Sequence, residues 1–490
     1  MNYRALAPLT KGPHARRAAF ALLSAGALAA ALTACTTGGV DGTPGAAGVR
    51  DPYYPKLGNG GYDVQHYGLK LGYDPESRHL KGTAEITARA TKNLSAFNLD
   101  LRGLDVESVT VEGKKARVQR AGDELTVRPH DDLDRDETFR ATVRYSGTPQ
   151  TITDVDGAKE GWLKGEKSAL ATGEPAGSKA WFPGNHHPSD KASYDIEVTV
   201  PKGLTAVSNG ELTRQTTTNG RTTFAWHSAE PMASYLATVA VGRYDTETSM
   251  ANDTPVFTAV DPTIPDDKKK RIKKVFAKIP DIMDWAEENF GDYPFSSTGA
   301  IAEGRVGLGY ALETQTKPVF PVSESDTSTL VHELAHQWYG NSVTPKTWQD
   351  MWLNEGFATY AEWLYEEDFG DMTVEETVDA LYDGDLYEDE NDNEEVWDFP
   401  PAKQPDAASI SDAPVYDRGA MVIQKIRETV GDETFYDIIQ GWAKTYRHRN
   451  ADTKDFTTYV DQHAGDDEAR EELQTVWSDW LYGDGKPDER

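Results

Sequence analysis

The 490-residue sequence contains one cysteine, Cys35, so no disulfide can form within the chain. It is also short of positive charge, with 50 Lys and Arg against 81 Asp and Glu and a formal net charge of −31. That balance argues against nucleic acid or an anionic membrane surface as a partner, since both need a cationic face to displace their counterions. It biases the protein only weakly toward cationic peptides. The apolar run from Ala18 to Leu32 falls short of the roughly 20 residues that a transmembrane helix needs.

That run reads instead as part of an export signal. Arg4, Lys11, Arg16 and Arg17 supply a positive region before it, and Leu32-Thr33-Ala34-Cys35 closes it in a pattern that resembles a bacterial lipobox. Residues 1–35 are expected to be a lipoprotein signal peptide, with lipid attached at Cys35. The mature chain would then sit at the extracytoplasmic face of the bacterial cell membrane. An ordinary secretory signal, and hence a secreted protein, is the alternative. Residues 36–50 are rich in Gly, Thr and Ala and lack an apolar pattern, which predicts a flexible linker.

Residues 51–243 alternate short β-branched runs with turn residues, as in Ala84–Arg89, Val106–Val111 and Tyr194–Val200 before Pro201. This pattern predicts antiparallel sheets, in a saddle or a sandwich. From about residue 244 the character changes. Ile272, Val275, Phe276, Ile279, Ile282, Met283 and Ala286 recur at helical spacing, interrupted or kinked at Pro280. The expected fold class is α+β multidomain, with a β domain over 51–243 and a mainly helical one over 244–490.

The chemistry centres on His332-Glu333-Leu334-Ala335-His336 and on Asn354-Glu355-Gly356, with Glu355 nineteen residues after His336. At about 100° per residue, His332 and His336 lie one turn apart on one helix face, so both imidazoles reach one point. Two neutral imidazoles and a carboxylate suit Zn²⁺ and leave a fourth position for water. Glu333, between the histidines, is placed to take that water's proton. An HExxH string also occurs on ordinary amphipathic helices; Glu355, with a helical run after it, shifts the reading to zinc. Apolar Leu334, Ala335 and Trp338 suggest that the other faces of the helix are buried.

These residues resemble the aminopeptidase N family of gluzincin zinc metallopeptidases, and the similarity extends over nearly everything after residue 50. The resemblance implies a thermolysin-like catalytic domain, one Zn²⁺ per chain and hydrolysis at the free N-terminus of peptides. It also implies further residue roles. Glu174, in Ala171-Thr172-Gly173-Glu174-Pro175, matches an acidic residue that holds the substrate's α-amino group. Gly307–Thr314 takes the place of the family's Gly-Ala-Met-Glu-Asn strand and keeps Glu313 for the same amine, with Tyr310, Leu312 and Thr314 replacing Gly, Met and Asn. The glycines before it suit a strand approached closely by another backbone. Tyr416, in Tyr416-Asp417-Arg418-Gly419-Ala420, matches the tyrosine that donates to the oxyanion, with Arg418 in place of Lys. Asn354, Gln337 and Asp350 are candidates to support these groups. Larger family members continue beyond the point where this sequence stops, with a further β module and a helical domain.

His186 and His187 lack a companion at ligand spacing and read as loop residues. Residues 366–398 hold sixteen Asp or Glu and no Lys or Arg, and read as a solvated face. Asp383, Asp385, Asp389 and Asp392 do not follow the calcium-loop spacing of an EF-hand. Three other functions remain open on the same scaffold: a gluzincin endopeptidase, an epoxide hydrolase resembling leukotriene hydrolase, and a non-catalytic binding protein.

Overall fold

The computed structural model describes residues 42–488, so the signal and lipidation site expected over 1–35 lie outside the described residues. The β half is built on an eight-stranded sheet. Its strands run in the order Glu211–Thr218, Arg221–Ala233, Lys191–Pro201, Tyr62–Asp74, His79–Ala90, Thr138–Gly147, Asp105–Val111 and Lys114–Lys115. Tyr62, Val64, Tyr67, Leu69, Leu71 and Tyr73 point inward from one strand, with a bulge between Val64 and His66 resetting the two-residue phase. The pairing is not uniformly antiparallel: Tyr62–Asp74 and Lys191–Pro201 run parallel. Two strands so far apart in sequence can meet either way, and alternation alone does not encode direction.

A second sheet carries the loop that matters for chemistry. It orders Thr151–Thr153, Lys159–Gly165, Ser168–Thr172, Val239–Gly242 and Thr205–Ser208. Ser168–Thr172 is buried throughout, so the turn at its end is held from both faces. Glu174 follows it by two residues.

Part of the expected linker proves to be ordered. From residue 42 the chain pairs with the β half, as Thr43–Pro44 beside Leu94–Asp100 and as Ala46–Ala47 beside Asn59–Gly60. Small side chains suggested flexibility, yet here they permit contact. A Cβ on Gly45 would lie 2.6 Å from the Gly60 carbonyl oxygen, and one on Gly42 equally close to the backbone of Leu94.

After Gly242 a smaller sheet of Asp245–Ala251, Thr254–Val260, Thr298–Glu303 and Val319–Pro321 opens a half that is otherwise helical. The helical spacing around Pro280 resolves into two helices, Asp266–Phe276 and Ile279–Phe290. Pro280 sits in the first turn of the second, where its missing N–H costs nothing. In the acidic stretch, Val374–Asp383 is a helix with a capping box at Thr373 and Glu376 and a left-handed Gly384 at its end.

The two halves are joined at Asn185–Lys191. Lys191 Nζ donates to the carbonyls of Asn341 (2.9 Å) and Ser342 (2.8 Å), just beyond the HExxH helix. His187 Nε2 lies 3.1 Å from Asp51 Oδ2, which also accepts from the Trp348 amide at 2.9 Å. His186 is buried between Ser234 Oγ and the Phe182 carbonyl, each 3.0 Å from a ring nitrogen. His187 is thus committed to this junction, and His186 to packing within the β half.

Candidate active site

The helix Thr327–Ala335 begins at Asp326, whose carboxylate accepts from the Thr329 amide, and His336 caps its end while keeping helical dihedrals. His332 and His336 therefore stay one turn apart on one face, with ring centroids 4.7 Å from each other. Leu330, Val331, Leu334, Ala335 and Trp338 bury the remaining faces. The following helix, Trp352–Phe369, is buried on every side over its first ten residues, which fixes Glu355 against the histidines.

Glu355 Oε2 lies 3.2 Å from His332 Nε2 and 3.3 Å from His336 Nε2. Ligand atoms about 2.0–2.1 Å from a tetrahedral zinc are about 3.3 Å apart, so the triad has the edge lengths of such a site. The outer ring nitrogens settle the tautomers. His332 Nδ1 is 2.8 Å from Glu362 Oε1, and His336 Nδ1 is 3.1 Å from the Tyr339 carbonyl. Both partners are acceptors, so Nδ1 carries the proton in each neutral ring and Nε2 offers its lone pair to the metal position.

Three more carboxylates crowd the same point. Single ligand atoms of Glu313, Glu333 and His336 lie within 4.8 Å of one another, as do those of Glu174, Glu313 and Glu355. Glu333 Oε2 and Glu313 Oε1 are buried without a hydrogen-bond partner in the protein. Burial pushes the Glu333 carboxyl up to about 8, with the imidazoles opposing and Glu313 and Glu355 adding to the rise. Burial and the neighbouring Glu313 likewise raise Glu174 far above the ordinary carboxylate range. Burial acts the same way on Glu355, yet the two imidazoles hold it down to about 2. Four carboxylates, three of them buried and Glu174 half-buried, with no Lys or Arg lining their cavity among the described residues, call for cations. A divalent metal and a substrate ammonium would offset most of that charge, and the residues fit zinc in donor type, spacing and tautomer.

Tyr416 faces this cluster from a single π turn, Pro414–Arg418, before the helix Gly419–Val430. Its ring stacks on His332, with centroids 6.1 Å apart and planes 16° from parallel. Burial, reinforced by Glu355, keeps its hydroxyl protonated far above the usual range. Arg418 turns away and donates to the carbonyls of Trp480, Asp479 and Gly483, fastening the C-terminal segment.

Gly356 and Gly419 meet where the helix bearing Glu355 crosses the one that follows Tyr416. A Cβ on Gly356 would lie 2.9 Å from the Gly419 carbonyl carbon. Gly356→Ala gains about 1 kcal/mol in helix propensity but overpacks two backbones, at a cost of about 1–3 kcal/mol. We expect a melting temperature lower by a few degrees and a kcat lower by about tenfold or more, because the displaced helix carries Tyr416 with it. Calorimetry and steady-state kinetics on the variant check both.

The Gly307–Thr314 segment departs from expectation. It is a loop with one isolated bridge, Leu312 to Val319, and nothing lies within 4 Å of a Cβ built on Gly307 or Gly309. Gly307 instead supplies a left-handed turn (φ 70°). Glu313 nevertheless reaches the site, because Gln337 Nε2 and Asn341 Nδ2 donate to its carbonyl at 3.3 and 2.7 Å. Of the other supporting candidates, Asn354 lies beside His336 across Gly340. Asp350 stands apart, accepting from Thr347 and Thr453 to anchor two helix starts. The sequence reading passed over Glu362, although its place seven residues after Glu355 on one helix puts it on the same face two turns along.

Comparison with known proteins agrees with this geometry. The Peptidase family M1 domain model matches residues 317–480 and the Peptidase M1 N-terminal domain model matches 63–236. Probable aminopeptidase 1 of Saccharolobus solfataricus is 24% identical over 426 residues, which is 80% of this chain and 50% of that protein. The glutamyl aminopeptidase of Homo sapiens is 29% identical over 350 residues, 66% of this chain and 35% of that one. The chain thus spans about half the length, or less, of these curated relatives. A solved M1 zinc metallopeptidase from Deinococcus radiodurans, a mutant bound to a Tyr-Ser-Ala substrate, is 29% identical with a TM-score of 0.80, covering 90% of this chain and 98% of that one. With a mainly β N-terminal half and a helical catalytic half that carries a His-His-Glu triad, the chain belongs to peptidase family M1, the aminopeptidase N family of gluzincin zinc metallopeptidases.

Proposed function

We propose that the protein is a zinc-dependent aminopeptidase, holding one Zn²⁺ per chain between His332, His336 and Glu355 and releasing the first residue of peptides with a free N-terminus. The observation that carries this reading is the place of Glu174 and Glu313, whose carboxylates lie within 4.8 Å of each other and of Glu355. A substrate ammonium set between the buried Glu313 and the half-buried Glu174 leaves room for one residue before the scissile bond meets the triad.

When bound, the zinc supplies Lewis acidity toward the scissile carbonyl and the attacking water. Glu333 takes that water's proton at its unpartnered carboxylate and passes it to the leaving amine. Tyr416 donates its hydroxyl hydrogen to the carbonyl oxygen as negative charge develops there. Glu362 and the Tyr339 carbonyl keep both imidazoles in the ligating tautomer.

The test compares aminoacyl-arylamides with their N-acetylated forms on zinc-loaded protein, with and without chelator. Cleavage of the free-amine forms alone, lost on chelation, is the expected result. Equal cleavage of the acetylated forms would remove the role given to Glu174 and Glu313 and favour an endopeptidase. Turnover confined to lipid epoxides would favour the hydrolase, and bound metal with no turnover of either substrate a binding protein. On the residues of the N-terminal segment alone, we also propose export and lipid anchoring at Cys35. Mass spectrometry of the mature N-terminus, which should carry a diacylglyceryl cysteine, checks it.

A further inference from the structure

The cavity over the candidate metal site has a volume of about 300 Å³ and two tiers of negative charge. The inner tier is the buried Glu313, Glu333 and Glu355 with the half-buried Glu174, all assigned above. The outer tier is Asp154 and Asp156, on the turn between Thr151–Thr153 and Lys159–Gly165, where Asp156 is exposed to solvent. Apolar lining comes from Pro175, Leu312, Ile410 and the ring of Tyr310. No Lys or Arg lines the cavity among the described residues.

The outer tier is built rather than incidental. The Tyr54 hydroxyl donates to Asp154 Oδ2 at 2.7 Å, and the Tyr310 hydroxyl donates to the Lys159 carbonyl at 2.9 Å. The second bond ties the Glu313 loop to the turn that bears the two aspartates. Behind them Glu160 is fully buried, with Oε2 accepting from the Ala176 amide at 2.9 Å and Oε1 without a partner.

We infer that the cavity selects a cationic first residue, arginine or lysine, with Asp154 and Asp156 meeting its charged head. The inference rests on the aminopeptidase reading above. With the α-ammonium between Glu174 and Glu313, that residue's side chain has only the rest of the cavity to enter. A long aliphatic stem covers the apolar lining while its head reaches the carboxylates at the mouth, the arrangement that Lys and Arg side chains favour. An acidic side chain finds no cation there and meets repulsion from both tiers. A leucine side chain fits the lining but gains nothing from the aspartates, so it is accepted and cleaved more slowly.

The experiment measures kcat/KM for Arg-, Lys-, citrulline-, Leu- and Glu-arylamides on zinc-loaded protein. Citrulline matches arginine in shape without its charge. We expect Arg over citrulline by about tenfold or more, a ratio that shrinks as salt is raised, and no detectable cleavage of the Glu compound. Asp156→Asn and the double variant with Asp154→Asn should bring the ratio toward one. If the double variant misfolds, the exposed Asp156→Asn change alone still reports. Binding of free L-arginine against L-citrulline by calorimetry gives the same comparison without turnover. Equal handling of arginine and citrulline by the wild-type protein, or a ratio that ignores both substitutions, overturns the inference and leaves the aminopeptidase reading standing. Failure to cleave any free-amine compound overturns both.

Discussion

Glu333→Gln is expected to lower kcat by about 10²–10⁴-fold, the range that a positioned general base contributes, while zinc content and KM stay near their wild-type values. Four carboxylates meet at the site, and geometry distinguishes their duties. Glu355 is in contact with both imidazoles, which commits it to the metal. Glu174 and Glu313 lie together, as a pair placed for an ammonium. Glu333 sits between the two histidines in sequence, on the same helix, with Oε2 buried and unpaired. The amide of Gln fills the same volume and cannot accept a proton at neutral pH, so only the proton step is lost. Metal analysis and steady-state kinetics on one preparation separate the two effects. An unchanged zinc content with activity within a few-fold of wild type would mean that the proton goes elsewhere.

The parts of this site that could be read in the sequence are those that a single helix dictates. One turn separates His332 from His336, and a helix has only one way to present them. Glu355 lies on a second helix, but its Asn-Glu-Gly context and distance marked it as the companion. Glu362 follows from the same periodicity and was still missed, because a glutamate amid Glu366, Glu367 and Asp368 is inconspicuous until its partner is known.

Contacts between distant segments were harder to see. That Gly356 touches Gly419 depends on how two helices cross, and the 62 intervening residues give no sign of it. The same holds for Asp154 and Asp156, which the hairpin of Thr151–Thr153 and Lys159–Gly165, paired onto Ser168–Thr172, brings to the cavity. Composition misled where side chains were small. Gly42, Gly45 and the alanines near them looked like a linker, yet backbone pairing needs no side chain, and those residues lie against the β half. Gly307 and Gly309 misled the other way: they suggested a closely packed strand and lie in an open loop, where Gly307 takes a left-handed conformation. Asp350, a candidate to support the site, proves to serve the starts of two helices.

Tyr416→Phe is expected to lower kcat by about 10²–10³-fold with little change in KM, zinc content or melting temperature. The phenyl ring keeps the stacking on His332, so the substitution removes one O–H and leaves the packing intact. Burial and the adjacent carboxylates hold that hydroxyl protonated far above its ordinary range, so it meets the substrate as a donor. Two roles for such a donor differ in size. A hydrogen bond made equally to substrate and product oxygens contributes about 0.5–1.5 kcal/mol, which is roughly tenfold at most. A donor aimed at charge that develops only in the transition state contributes about 2.7–4 kcal/mol in a site shielded from water. The measured ratio therefore distinguishes them. A loss of a hundredfold or more in kcat at constant KM places the hydroxyl on the developing oxyanion, whereas a loss below tenfold, or one confined to KM, assigns Tyr416 to holding His332 and the substrate in place.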